Sequence, residues 1–253
     1  MLKAYKIKIR IVKRLIPLSA YGLAYAWLSL SWVPVDNAGS PVNRSNEISI
    51  ENSVIDKRIV ENSRTLLYDE MQLQQKGLSK QAFLYAMQGY EALKAAGKLS
   101  NSDILTICDF SQSARKKRMY VIDMETQELL IQTHVAHGRN SGGEFARKFS
   151  NRPESHQSSL GFYITQKTYH GEHGLSLRVQ GVERGINDKA YKRAIVVHGA
   201  TYIGEGHMGR SYGCPAVPRE QSKKIIETIK GGSVMFIYHP TKQYLSASKI
   251  LND

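Results

Sequence analysis

Cys214 and His198 are the two side chains of this sequence best suited to nucleophilic chemistry. Cys214 stands between Gly213 and Pro215, and His198 ends the apolar run Ile195-Val196-Val197, sixteen positions upstream. A thiol attacks as its thiolate, so it needs a base and surroundings in which the anion can form and be reached. A histidine at a strand end and a cysteine at a tight turn supply both, if the glycine-rich chain between them folds back. A plainer reading fits the same residues: a small buried cysteine and a satisfied strand-end histidine. His207, inside the glycine-rich run, is the second candidate for base.

The elements that must hold these residues show in the patterning. Residues 36–53 lack an apolar period and read as a linker, and 54–100 read as helical. The clearest helix there is capped by Ser79, puts Phe83, Met87, Tyr90 and Leu93 on one face, and stops at Gly97. Strand patterns follow at 104–110, and at 118–124 with 128–136 about a turn at Glu125-Thr126. A further strand begins at Gly161-Phe162-Tyr163-Ile164. A short helix is predicted over Asn187–Arg193, leading into the strand that ends on His198. Pro218 opens a helix over 219–230 with Ile225, Ile226 and Ile229 inward, and 233–238 forms a closing strand. Helices first, then strands, then one helix predict an α+β fold.

Charge and hydropathy bear on location and partners. The chain of 253 residues carries a formal net charge of +13. Lys3, Lys6, Lys8, Arg10, Lys13 and Arg14 supply six of those charges, which leaves +7 (13 − 6) on the rest. An uncharged stretch follows from Leu15 to Val35, long enough to span a bilayer. Residues 1–35 therefore read as a signal peptide or N-terminal membrane anchor, with the remainder exported to the periplasm or the outer face of the inner membrane. Membrane contact is expected only through that segment. The basic remainder suits an anionic polymer such as cell wall, and no arginine-rich helix or aromatic RNA-binding motif points to nucleic acid. His134 with His137, and His170 with His173, have the spacing of metal-ligand pairs, but loop and strand context without a general-base glutamate argues against a metal. Cys108 lies in an apolar run and reads as a buried structural thiol. A Cys108–Cys214 disulfide would silence the nucleophile.

The stretch from His198 to Ala216 resembles the active-site signature of L,D-transpeptidases of the YkuD type: a histidine, a gap, then Ser/Thr-His-Gly-Cys. His198 matches the histidine, Ser211 the hydroxyl residue, Gly213 the glycine and Cys214 the nucleophile. Tyr212 stands where the family's second histidine usually sits, and Pro215-Ala216 replaces the usual pair after the cysteine, as in a divergent murein L,D-transpeptidase branch. Gly161-Phe162-Tyr163-Ile164 also resembles a family element, and the resemblance covers about residues 105–240. It implies a mainly antiparallel β catalytic domain over 101–253, a sandwich with N-terminal helices and one helix after the cysteine. It also implies acyl transfer through a thioester on peptidoglycan stem peptides, with no cofactor and no metal. The implied catalytic set is Cys214, His198, Gly213, Ser211 and Tyr212, with the N–H groups of Gly213 and Cys214 facing the oxyanion. The candidate substrate-binding set is Arg210, Arg139, Tyr169, His170 and Gly199. An L,D-carboxypeptidase or peptidase on wall peptides, a non-catalytic wall-binding protein and a zinc hydrolase are the alternatives.

Overall fold

The computed structural model describes residues 44–204 and 206–252. The segment over 1–35 lies outside them, and among the described residues no helix is long and apolar enough to cross a membrane. The chain divides into units 1–45 and 46–253. The second unit holds both the helical region expected over 54–100 and the domain expected after it. Helix α1 (Arg44–Glu70) begins inside the stretch read as a linker. No Gly or Pro occurs between Pro41 and Gly77, so nothing in the local sequence stops a helix there. Helix α2 (Lys80–Ala95) is as patterned: the Ser79 side chain caps it by accepting from Ala82 N–H, and Phe83, Met87, Tyr90 and Leu93 are buried. Arg64 and Glu91 join α1 to α2 at 2.6 Å.

The core is an eight-stranded sheet made of β1 (Ile104–Asp109), β2 (Met119–Asp123), β3 (Glu128–Thr133), β4 (Gly161–Gly171), β5 (Gly174–Gly181), β6 (Val196–Ala200), β9 (Ala216–Pro218) and β10 (Val234–Tyr238). Its order is β3-β2-β1-β10-β4-β5-β6-β9, with β7 (Ile203–Gly204) and β8 (His207–Met208) forming a separate two-stranded ribbon. The architecture is the expected α+β one, a large, mainly antiparallel sheet with few helices. Neighbouring strands are antiparallel except β1–β10 and β6–β9. The closing strand β10 sits mid-sheet between β1 and β4, and every residue of its Val-Met-Phe-Ile-Tyr run is buried, as a strand covered on both faces requires.

Helix α3 (Arg219–Ile229) follows β9 and buries Ile225, Ile226 and Ile229. The short α4 (Lys242–Ala247) and α5 (Lys249–Asn252), which the patterning did not show, complete the fold. The helix expected over Asn187–Arg193 is a run of turns instead. Asn187 is drawn into tertiary bonds: its side-chain oxygen accepts from Glu183 N–H, and its amide donates to the carbonyls of Leu160 and Phe162. A side chain engaged in that way does not cap a helix.

Candidate active site

The parallel pairing of β6 with β9 places the cysteine. His198 lies opposite Ala216 in that register. Parallel strands begin at the same end, so Cys214, two residues before Ala216, falls beside Val196, two residues before His198. The sulfur is consistent with the register: Sγ lies 3.8 Å from the carbonyl oxygen of Ala194 as donor. Cys214 is half-buried, and Cys108 is fully buried in β1; both are free thiols, so the disulfide is not made. Burial pushes the Cys108 thiol up to about 12. Burial also raises Cys214 above its ordinary value, opposed by the Val196 N–H and the charge of Arg193.

His198 is 2 % exposed and forms no hydrogen bond to Cys214. Its Nδ1 lies 3.2 Å from the carbonyl of Gly199. A carbonyl only accepts, so this bond assigns the proton to Nδ1 and leaves Nε2 as the acceptor. The ring stacks on His173, in the turn between β4 and β5, with centroids 4.2 Å apart and planes at 19°. Burial lowers its pKa below the ordinary 6.5, the charges of His173 and Arg219 push the same way, and the Gly199 bond opposes them. The imidazole is therefore neutral at pH 7, and the thiol is protonated. One strand repeat of two residues, about 6.6 Å, separates Val196 from His198.

The turn before the cysteine is held by Ser211. Its hydroxyl donates to the Cys214 carbonyl at 2.6 Å and accepts the Gly213 N–H at 3.0 Å. The Gly213 N–H is thereby engaged, which corrects its assignment as an oxyanion donor; the Gly213 carbonyl accepts from the Ser158 hydroxyl at 3.2 Å. Gly213 has φ 123°, and a Cβ there would lie 2.8 Å from the Gln157 carbonyl, so only glycine fits. Tyr212 is 64 % exposed, with its ring 4.7 Å from that of His156 and 4.5 Å from the Arg139 guanidinium. Arg139 and His156 in turn meet at 2.8 Å.

Three residues of the substrate-binding set are occupied elsewhere. Arg210 spends its guanidinium on the carbonyls of Met208, Gly209, Gly142 and Gly143, so it pins two loops together. A Cβ on Gly199 would lie 2.6 Å from the Ser222 hydroxyl, so Gly199 is a contact surface for α3. Tyr169 lies under the Arg178 guanidinium at 4.6 Å. It pairs with Ser176, which pairs with His198, so Tyr169 is two strands from the imidazole on the same face of the sheet. His170 is exposed near the end of β4. The side chain of His207 lies outside the described residues. Among the described residues no group of three or more His, Cys, Asp or Glu could hold a metal, and the spaced histidines are used otherwise: His134 meets the Arg115 carbonyl, and His137 meets Arg118 and the Gly142 carbonyl.

Sequence reasoning did not single out Arg193, which the fold brings beside the Gly213 turn. Its Nη1 donates to the Ser150 carbonyl at 2.7 Å and the Ser159 hydroxyl at 3.0 Å; its Nη2 donates to the Gln157 carbonyl at 2.6 Å and the Ser155 hydroxyl at 3.3 Å. It precedes Ala194, whose carbonyl faces the sulfur. Its own stretch carries the only hint, a basic residue three positions before the strand with His198.

Comparison with known proteins places this geometry. A search of curated proteins finds no match. Among solved structures, an L,D-transpeptidase from Mycobacterium smegmatis is 14% identical, with a TM-score of 0.35 over 54% of this chain and 59% of that one. One from Mycobacterium tuberculosis H37Rv is 15% identical, with a TM-score of 0.34 over 54% and 58%. One from Stackebrandtia nassauensis is 14% identical, with a TM-score of 0.35 over 71% and 77%. The chain thus spans under two thirds of the length of the first of these. The family model described as L,D-transpeptidase catalytic domain matches residues 74–238, which run from just before α2 through β10 and include every residue of the Cys214 and His198 site. The chain belongs to the L,D-transpeptidase catalytic domain family.

Proposed function

We propose that this protein is a peptidoglycan L,D-transpeptidase, a cysteine acyltransferase that works on stem peptides outside the cytoplasm. The observation that carries the reading is the family match across 74–238, with its one half-buried free thiol beside β6 and a neutral imidazole on the same strand. The basic run before residue 15 and the uncharged stretch after it support export.

The two pKa directions define how the reaction starts. A raised thiol and a lowered imidazole do not form a standing ion pair, so the proton leaves sulfur only as attack begins. His198 Nε2 takes that proton as the S–H bond breaks. Sulfur bonds to the carbonyl between an L- and a D-centre. The tetrahedral oxyanion is met by the Cys214 N–H, since the N–H groups of Ser211 and Gly213 are spent within the fold. His198 then returns the proton to the departing amine of the terminal D-residue, leaving a thioester. An amine of a second stem attacks that thioester and regenerates the thiol. Ser211 holds the turn. Tyr212, with Arg139 and His156, forms an aromatic and cationic rim for the peptide.

Intact-mass analysis of the full chain with a tetrapeptide stem tests this. The expected result is an acyl adduct on wild type and none on Cys214→Ala. An adduct that persists on Cys214→Ala would overturn it. Digested sacculi resolve the fate of the thioester: stem-to-stem cross-links mark transfer, and trimmed stems alone mark hydrolysis.

A further inference from the structure

We propose that Arg193 is the electrostatic partner of the Cys214 thiolate, a positioning residue that acts through the sulfur while His198 handles the proton. The guanidinium is fixed beside the nucleophile's own turn: a Cβ on Gly213 would lie 3.3 Å from Arg193 Nη2. All four of its anchors (the carbonyls of Ser150 and Gln157, the hydroxyls of Ser155 and Ser159) are neutral. Among the described residues no carboxylate pairs with it. A half-buried cation held by neutral acceptors keeps its full charge and holds it in place without reorganisation.

The groups around that charge leave the sulfur as its one ionisable counterpart. The Tyr163 phenol of β4 also feels Arg193, but burial raises it far out of the working range, so it stays neutral. Tyr202, between β6 and β7, is raised by burial and by the sulfur, so it too stays neutral. His198, with its proton on Nδ1, is neutral at rest. When the proton leaves Sγ for His198 Nε2, the electron pair stays on sulfur. The fixed charges then facing that anion are the Arg193 guanidinium and the dipole of the Val196 N–H. This assigns separate tasks to charge stabilisation and proton transfer.

The inference rests on Cys214 being the acylated residue, and its test does not need turnover. The rate of alkylation of Cys214 by iodoacetamide is followed against pH in the full chain by peptide mass mapping. Arg193→Gln should raise the midpoint by about one pH unit and slow alkylation at pH 7 about tenfold. Arg193→Lys should recover most of that shift, because it keeps the charge and loses only the fork. Ser155→Asp sets a carboxylate against Nη2 and should raise the midpoint with Arg193 still in place. An unmoved midpoint in Arg193→Gln or in Ser155→Asp would overturn the proposal. So would an Arg193→Lys midpoint as high as that of Arg193→Gln, which would show that the fork acts and the charge does not. If Arg193→Gln does not fold, Ser155→Asp decides alone. An acyl adduct on Cys214→Ala would sink the enzyme reading itself, whereas an unmoved midpoint in a protein acylated at Cys214 sinks only the role of Arg193.

Discussion

At the residue scale, the site is a thiol and an imidazole that are both neutral at rest. Because the His198 pKa is lowered, the base is competent down to pH values below 6.5, and activity fails only as pH falls through its depressed value. We expect the acid limb of kcat/KM for acylation to lie below pH 6.5, measured with a stem-peptide donor. His198→Asn should lower acylation at least about 100-fold and remove that limb. Both thiols are raised by burial, and exposure separates them. Cys108 is sealed in β1 and pushed up to about 12, so the native protein should take one equivalent of iodoacetamide at neutral pH, at Cys214. A second equivalent should appear only in denaturant.

At the element scale, the reactive turn depends on how closely α3 approaches β6. Gly199 is the point of contact. A methyl group there would come within 2.6 Å of the Ser222 hydroxyl and 3.2 Å of the Arg219 backbone. Gly199→Ala should therefore lower stability by about 1–3 kcal/mol in denaturant titration. It should also lower activity, since His198 is the preceding residue and bonds the Gly199 carbonyl. The flap between His198 and Cys214 is fastened on the other side by small residues: Ile203 of β7 buries itself with Ala136, Ala200 and Ala216. That ribbon is the connection that carries the chain from the end of β6 back to its start, which a parallel partner strand requires.

At the scale of the whole molecule, the C-terminal helices brace the segment that carries Arg193 and Ala194. The Glu183 carboxylate is 5 % exposed and accepts from Phe162 N–H at 2.7 Å, from the Tyr244 hydroxyl at 3.2 Å and from the Ser248 hydroxyl. Among the described residues no cation balances it, and burial raises its pKa. A raised carboxyl favours the folded state most at low pH, and that contribution is lost as pH rises past 4.5 and through the folded value. Glu183→Gln should remove this dependence and leave stability at pH 8 equal to wild type or higher. Glu183→Ala, which strands the Phe162 N–H, should cost about 2–4 kcal/mol in denaturant titration. The sequence by itself determined the family, the Ser79-capped helix and the α3 stripe, and it singled out Cys214 and His198 as candidates, because each rests on residue types at short spacing. Only the tertiary structure decided that β9 returns parallel to β6, that Arg210 is spent on carbonyls, that Asn187 leaves its helix and that Arg193 lies beside the Gly213 turn. Those outcomes depend on contacts between segments tens of residues apart, set by strand order and burial, and local patterning carries no record of either.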